Sequence, residues 1–513
     1  MTSTILRKTR KVWEFGDFQT PNDLAHFVTQ IVVDRNIKPK SIIEPSCGRG
    51  AFLISAIKSF PEIKKAIGVD INKDHLDRMY GILYEEGIKL PVDIVHNDFF
   101  SLSWEDILRD LPEPILIVGN PPWVTSAELG MLGSSNLPQK SNFQGRNGFE
   151  AKTGKSNFDI SEWMLIKHLE WLKDRNGMIA MLCKESVARK VLNYAWRNRY
   201  QVSEASIYKF DAMKYFNAAV DACLFLIAMN NGINSNHCNF YEKITDKRVS
   251  NIIGYDDGVI VANVSSYNKL KSLRGIDNNY KWRSGVKHDC AKIMELERDG
   301  EYLRNGKGVI ASLEDTYVYP MLKSSDIGNG RILKYRKYML VTQKFIGEDT
   351  GHIEINAPKT WRYLNDNVEA FTKRASSIYR NRPQFSIFGV GDYTFSPWKV
   401  AISGFYKNLS FKPIGLFGGR PTIFDDTIYF LACWSEDEAK FIAEILNSGI
   451  AQEFLGSMIF WSDKRPITIE LLKRLNIHAL ACELGKEKEY IFYTSSHLLQ
   501  LSTEGKQPDL LIA

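Results

Sequence analysis

No apolar stretch in this 513-residue chain approaches the roughly 20 residues that a membrane helix needs, and the longest clean run, Ala222–Met229, is far shorter. Cysteine is sparse: 7 residues, an odd number, with no Cys-x-x-Cys pair, which argues against a disulfide framework and against a zinc knuckle. The basic opening segment, Met1 to Lys11, is followed by no apolar h-region, so no secretory leader is expected and a reducing cytoplasm is the simplest setting. Internal repeats and low-complexity tracts are also missing. Together these absences exclude collagen-like, mucin-like, coiled-coil and disordered classes. What is there, 44% hydrophobic and 25% charged residues, suits a globular chain with material for two to four domains and sizeable cores.

The net charge of +6 is modest but unevenly placed. Residues 331–420 hold 15 Lys/Arg against 6 Asp/Glu, so the rest of the chain is slightly acidic. The same window carries 16 aromatic residues, among them Trp361, Tyr363, Tyr379, Phe388, Tyr393, Trp398 and Tyr406. Cations interleaved with aromatics suit a polyanion with stackable bases; a basic surface over an aromatic core would read the same way.

In the first half, short apolar runs alternate with helical patterns. Strands are predicted at Ser41–Glu44, Ala66–Asp70, Val92–Asp98, Ile115–Gly119, Met178–Leu182, Ala205–Tyr208 and Ala222–Met229, and helices at Ala51–Lys58, His75–Glu86 and Glu162–Leu172. That alternation reads as an α/β fold with a mostly parallel sheet. After Asn230 the rhythm changes to Asn- and Gly-rich turns and short strand-like pieces, followed by helices at Glu436–Asn447 and near Ile469–Leu475. Two domains follow, 1–250 and 251–513, the second of α+β type. Between them in character stands Thr125 to Ser156, a Gly/Ser/Asn-rich stretch with Lys140, Arg146, Lys152 and Lys155 against Glu128 and Glu150. It fits a closing basic flap or a plain surface insertion.

Chemistry enters at the strand ends. Glu44-Pro45-Ser46-Cys47-Gly48-Arg49-Gly50 leads from the first strand into a helix, and Gly48 and Gly50 allow a tight turn and close approach of a ligand to the backbone. A G-x-G is weak by itself, and without a third glycine it speaks against a dinucleotide. Cys47 reads as a small filler, because no nearby residue would activate it as a nucleophile. The second strand ends in Asp70, placed to accept from a ribose diol, and the third in Asp98 beside Phe99. The fourth runs into Asn120-Pro121-Pro122-Trp123. Two prolines fix the backbone and remove two N–H donors, so the Asn120 side-chain oxygen and the Pro121 carbonyl can accept both hydrogens of a planar amino group. Trp123 can stack on the ring bearing that amine.

Taken together, these residues resemble the AdoMet-dependent N6-adenine DNA methyltransferases. Glu44–Phe52 is similar to that family's motif I, Asp70 and Asp98 to its motif II and III acids, and Asn120–Trp123 to its catalytic tetrapeptide. Phe18-Gln19-Thr20-Pro21 resembles motif X. This order, with a target-recognition domain at the C-terminus, resembles the γ class of TaqI-like restriction–modification methyltransferases. The resemblance implies a Rossmann-like catalytic domain. Thr20, Glu44 and the Ser46, Cys47, Gly48 and Gly50 loop would hold the methionine part of S-adenosyl-L-methionine, with Asp70 on the ribose, and Asp98 and Phe99 at the adenine. It further implies base flipping, with Asn120, Pro121, Pro122 and Trp123 catalytic and Phe216 the best match for an aromatic on the second face of the base; Tyr215 and Phe210 are rivals. Neither a metal nor a covalent intermediate is required. The tetrapeptide ends in Trp rather than the commoner Tyr or Phe, so stacking survives without a phenolic hydroxyl.

Double-stranded DNA is the expected partner, with Arg283, Lys287, Arg380 and Arg382 as candidate contacts; surface salt bridges are their plain alternative. A cognate restriction endonuclease is expected as a functional partner of a monomeric, nucleoid-associated enzyme. The stretch before Gln19 leaves no room for a fused nuclease. The same tetrapeptide also occurs in methyltransferases of RNA adenine and of protein glutamine, which stand as alternatives. Intact acids at Asp70 and Asp98 argue against a non-catalytic binding subunit.

Overall fold

β1 (Ser41–Glu44) and β4 (Ile115–Gly119) are buried along their whole length, as expected for parallel strands covered on both faces. The computed structural model describes residues 19–124, 159–230, 232–300 and 302–503. Two units are distinguished, Met1–Val264 and Ser265–Ala513.

In the first unit, β2 (Lys65–Asp70), β3 (Val92–His96), β5 (Gly177–Lys184), β6 (Val202–Asp211), β7 (Asp221–Met229), β8 (His237–Tyr241), β9 (Asn251–Asp256) and β10 (Val259–Val261) join β1 and β4 in one sheet, in the order β3-β2-β1-β4-β5-β7-β6-β8-β9-β10. The β1–β2, β2–β3, β1–β4 and β4–β5 pairs are parallel, whereas β7 runs antiparallel to both its neighbours. The chain winds outward from β1 to β3, then returns to β4 on the other side of β1. Open α/β sheets bind ligands where strand order reverses in this way, outside the carboxyl ends of the strands. The register puts Glu44 opposite Gly68 and Asp70 opposite His96, so the acidic strand tips share one edge.

Helices α1 (Asn22–Val33), α2 (Ala51–Ser59) and α3 (Lys73–Glu85) cover this half of the sheet, with Leu24, Val28, Phe52, Leu53 and Met79 packed into one core with Ile42 and Leu116. The sheet reaches further along the chain than the sequence pattern suggests. Its last strands, β9 and β10, lie past residue 250, so the expected division at 250/251 falls inside the first sheet and the units part at Val264/Ser265. Their short length and Gly–Asp turns hide that continuity from a periodicity argument.

The second unit is α+β. A six-stranded sheet orders as β14 (Ile310–Ala311), β13 (Tyr302–Asn305), β12 (Glu295–Asp299), β16 (Lys337–Leu340), β15 (Val318–Leu322) and β19 (Ile423–Phe424). A four-stranded one orders as β11 (Arg283–Ser284), β20 (Ile428–Cys433), β17 (Trp398–Ser403) and β18 (Lys412–Ile414). Helix Glu436–Leu446 starts at Ser435, whose side chain accepts from Glu438 N. Among the described residues no helix is long and apolar enough to cross a membrane. The Thr125–Ser156 stretch and Phe18 lie outside the described residues.

Candidate active site

The loop after β1 is held from below by Glu44. This side chain is buried, and its carboxylate accepts from Leu53 N in the first turn of α2 at 2.8 Å. Burial pushes the Glu44 carboxyl well above the usual range, an effect that the Leu53 and Phe52 N–H groups partly offset. Gly48 and Gly50 have φ of +51° and +77°, a conformation that side chains resist. A β-carbon on Gly48 would stand 2.7 Å from Gln19 Oε1, and one on Gly50 2.9 Å from Met79, so either side chain would have to shift to admit it. Cys47 is buried, with its N–H on Val69 O at 2.8 Å, and burial raises its thiol well above the ordinary range. That environment disfavours the thiolate, as expected of a filler.

Asp70 ties this loop to the end of β2. One oxygen accepts from Gly48 N at 2.7 Å and the other from Asn72 N at 2.8 Å. His75 Nδ1 stands 4.0 Å from Asp70 Oδ1 and 3.4 Å from Gln19 Nε2, while Gln19 Oε1 accepts from Arg49 N at 3.2 Å. His75 was not singled out from sequence, and Gln19 only as part of the Phe18-Gln19-Thr20-Pro21 segment. The available signal was that Asn72 caps α3, accepting from Asp74 N at 3.0 Å, which turns His75 back toward the strand tip. Ser46 lies between Glu44 and this knot, in the turn itself.

Asp98 is half-buried at the tip after β3, and its Oδ1 accepts from Phe100 N at 3.0 Å. The Phe99 ring is buried among Trp104, Trp163, His168 and Trp171, with ring centroids 5.2 to 5.9 Å away. Its backbone, more than its ring, is thus the part next to the strand tip. His168 in that cluster is wholly buried, which lowers its pKa to about 3 and keeps it neutral.

Beyond β4, Asn120 Nδ2 lies 3.4 Å from Thr20 Oγ1, joining positions a hundred residues apart. Pro121 and Pro122 carry the chain to Trp123, whose Nε1 donates to Leu182 O at 3.3 Å and whose ring is buried. The Phe216 ring, at the end of the helix Ala212–Phe216, stands 5.3 Å from Trp123 at 74°. Phe210 is farther, at 6.4 Å, and Tyr215 packs on Phe210 and Phe216. Trp123 and Phe216 therefore make a corner rather than two parallel plates. A ring stacked on one of them meets the other edge-on, an arrangement aromatic quadrupoles favour.

The N-6 DNA Methylase family model matches residues 5–198, which include Thr20, the loop after β1, Asp70, Asp98 and the Asn120-Pro121-Pro122-Trp123 segment but not Phe216. The Type II methyltransferase M.NspV of Nostoc sp. is 44% identical over 471 residues, covering 91% of this chain and 97% of the relative. The chain belongs to the N6-adenine DNA methyltransferase family. It is an AdoMet-dependent, site-specific DNA adenine-N6 methyltransferase, which removes the RNA-adenine and protein-glutamine alternatives. Among solved structures, the Type IIL restriction-modification enzyme MmeI in complex with DNA is similar at TM-score 0.47 and 12% identity, over 98% of this chain and 78% of that one. A modification subunit of a type I restriction enzyme from Vibrio vulnificus YJ016 is similar at TM-score 0.32 and 16% identity, over 49% and 52%.

The cofactor's site fits the residues present: a cradle that a β-carbon at Gly48 would fill, at the strand-order reversal, with Asp70 and Asp98 on adjoining strand tips. In the methyltransferase's second unit, three of the four candidate DNA contacts come together. Lys287 and Phe388 exchange backbone hydrogen bonds at 2.8 and 2.9 Å, and the Arg382 guanidinium lies 5.7 Å from the Phe388 ring. Arg380 and Arg382 are exposed on a loop braced by Arg374, which donates to Ser386 O at 2.7 Å and stacks 3.6 Å over Tyr379. The Arg283 guanidinium covers the Tyr393 ring at 4.5 Å.

Proposed function

We propose that this methyltransferase is of the γ class and acts as the modification enzyme of a Type II restriction–modification system, with a cognate endonuclease as its functional rather than physical partner and a single chain as the working unit. The first unit carries catalysis, and the second reads duplex DNA through Lys287, Arg380 and Arg382. Bound AdoMet supplies a methyl group activated on a sulfonium. The Ser46–Gly50 turn, Glu44 and Thr20 hold its methionine end, Asp70 its ribose, and Asp98 with the Phe99 backbone its adenine. The target adenine leaves the duplex, since its N6 is out of reach inside the stack. Asn120 Oδ1 and the Pro121 carbonyl accept the two N6 hydrogens, which draws the nitrogen toward a tetrahedral, nucleophilic form. Pro122 fixes the path of the tetrapeptide, Trp123 stacks on the base, and Phe216 meets its edge. Positioning and directed hydrogen bonds supply the rate, with Thr20 orienting the Asn120 amide.

The observation that carries this reading is the meeting of Thr20 and Asn120 beside the Trp123–Phe216 corner. It is tested by transfer of labelled methyl from AdoMet to genomic DNA, total RNA and a protein extract in parallel, followed by nucleoside analysis. N6-methyladenine at one recurring sequence, mapped by single-molecule sequencing and blocking a single endonuclease activity, is the expected result. Methylation scattered without a recurring sequence overturns the restriction–modification role.

A further inference from the structure

Six of the seven cysteines are buried, and Cys482 alone is exposed. It follows His478 by one helical turn on the helix Ile477–Glu483 of the second unit, so the two side chains share a face. The last helix, Glu487–Thr503, opens with Glu487 turned toward them. His478 Nε2 stands 3.6 Å from Cys482 Sγ and 3.4 Å from Glu487 Oε1, and the three ligand atoms all lie within 4.8 Å of one another. Among the described residues no other three His, Cys, Asp or Glu side chains converge in this way.

Other groups hold the scaffold beneath them. Asn476 caps the first helix, its side chain accepting from Ala479 N at 2.9 Å, and His478 N donates to the buried Asp277 carboxylate at 3.0 Å. Tyr490, buried in the last helix, donates its hydroxyl to the same carboxylate at 2.9 Å, and its ring lies 4.9 Å from the His478 ring. Between the helices Gly485 takes a φ of +70° and Lys486 N returns to Ala481 O at 2.7 Å. Asp277 thus anchors both helices, and a ligand meeting the three exposed side chains has little backbone left to order.

The spacing is that of a tetrahedral zinc site. With Zn–S of about 2.3 Å and Zn–N and Zn–O of about 2.0–2.1 Å, tetrahedral ligand atoms stand about 3.6 Å apart for S and N and about 3.4 Å apart for N and O. A ring nitrogen also has a single in-plane position, holding either a proton or a lone pair, and here a thiol and a carboxylate both face it. We propose that His478, Cys482 and Glu487 bind one Zn2+ through Nε2, Sγ and a carboxylate oxygen, with water as the fourth ligand and the thiol proton released to solvent. Thiolate and imidazole select such a borderline-soft ion over Mg2+ or Ca2+. With three protein ligands rather than the four of a closed structural site, the ion stays open to exchange. It ties the last helix to the one before it, and none of its ligands is among the residues assigned to methyl transfer.

The test uses the full-length, untagged enzyme freed of metal by a chelator, with Zn2+ and Co2+ as probes. Calorimetric titration should give one Zn2+ per chain. Co2+ should give a thiolate-to-metal charge-transfer band together with the strong visible bands of tetrahedral coordination, a result that needs no variant. C482S should abolish the charge-transfer band. Like H478A, it should also weaken Zn2+ binding by more than the roughly 10- to 100-fold that loss of a merely supporting residue costs. Unfolding of both variants in chelator should match wild type, so that lost zinc is not lost fold. Hydrogen exchange of the amides at 484–490 should slow severalfold when Zn2+ binds wild type and stay unchanged in C482S. Absence of the cobalt charge-transfer band in wild type overturns the site. So does Zn2+ binding that C482S and H478A leave within about threefold, or that excess Mg2+ displaces. Zinc bound at these residues with no slowing of exchange overturns the tie between the helices.

Discussion

Asp70→Asn is the most informative single change, because it preserves shape and alters only what the side chain can accept. Both Asp70 oxygens accept backbone N–H groups, from Gly48 at 2.7 Å and Asn72 at 2.8 Å. A carboxamide has one oxygen; its NH2 must then face one of those N–H donors, so one bond is lost outright and the other loses its charge. Hydrogen bonds to a charged group contribute about 1.5–3 kcal/mol each, and a donor left facing a donor adds a desolvation cost, so the combined loss is on the order of 2–4 kcal/mol. The Ser46–Gly50 turn depends on these bonds, and its conformation must be restored when the cofactor binds. AdoMet affinity, measured by isothermal titration calorimetry, should therefore fall by about 10²-fold, at 1.4 kcal/mol per tenfold. Duplex DNA affinity, followed by fluorescence anisotropy, should stay within about twofold. An Asp70→Asn enzyme that binds AdoMet within about threefold of wild type would falsify the claim that this carboxylate organises the cofactor loop.

Asn120→Ala should lower turnover by about 10²-fold or more while leaving AdoMet affinity nearly intact; single-turnover methylation at saturating AdoMet checks it, and wild-type rates would remove Asn120 from catalysis. Trp123→Phe should keep more activity than Trp123→Ala, because stacking survives in the first; equal losses would assign Trp123 to packing through its bond to Leu182 O instead. Arg380 and Arg382 replaced together by Ala should reduce the slope of log K against log salt by up to about 2, read from anisotropy titrations at several salt concentrations. Lys399 is buried with its Nζ on Ser396 O at 2.8 Å, and burial lowers its pKa to about 7. The unfolded chain holds that proton up to about pH 10.4, so it binds more protons than the folded state between about pH 7 and 10, and stability should rise with pH across that window by a few kcal/mol. Lys399→Met should flatten the rise; urea unfolding at pH 7 and 9.5 with parallel changes in both proteins would refute it.

Much of the catalytic half was legible in the chain itself. β1 and β4 have the predicted bounds, and the predicted helix starting at Ala51 does begin there, because apolar runs punctuated by Pro and Gly leave little choice of element. The strand-end motifs were legible for the same reason: Asn120-Pro121-Pro122-Trp123 and the Gly48/Gly50 turn are contiguous, so they are recognised without a tertiary partner. The extension of the sheet by β8 to β10 was not legible, since short strands gain their identity from the neighbours they pair with. Nor was the meeting of Trp123 with Phe216, whose rings stand 5.3 Å apart at 74°.

The sequence alone thus determined which groups stand at the strand ends: the backbone freedom at Gly48 and Gly50, the acids Asp70 and Asp98, and the Asn120-Pro121-Pro122-Trp123 segment, all of them set by covalent structure and local spacing. Only the tertiary structure decided how they are held. Gln19, Asn72 and His75 reach Asp70 and the cofactor loop because strands and helices distant in sequence end at one sheet edge. Thr20 meets Asn120 for the same reason. In the second unit, charge counting found a basic region, but pairing of Lys287 with Phe388 chose which cations share a face. Hydrogen bonds between residues far apart in sequence fix such directions, and no local pattern encodes them.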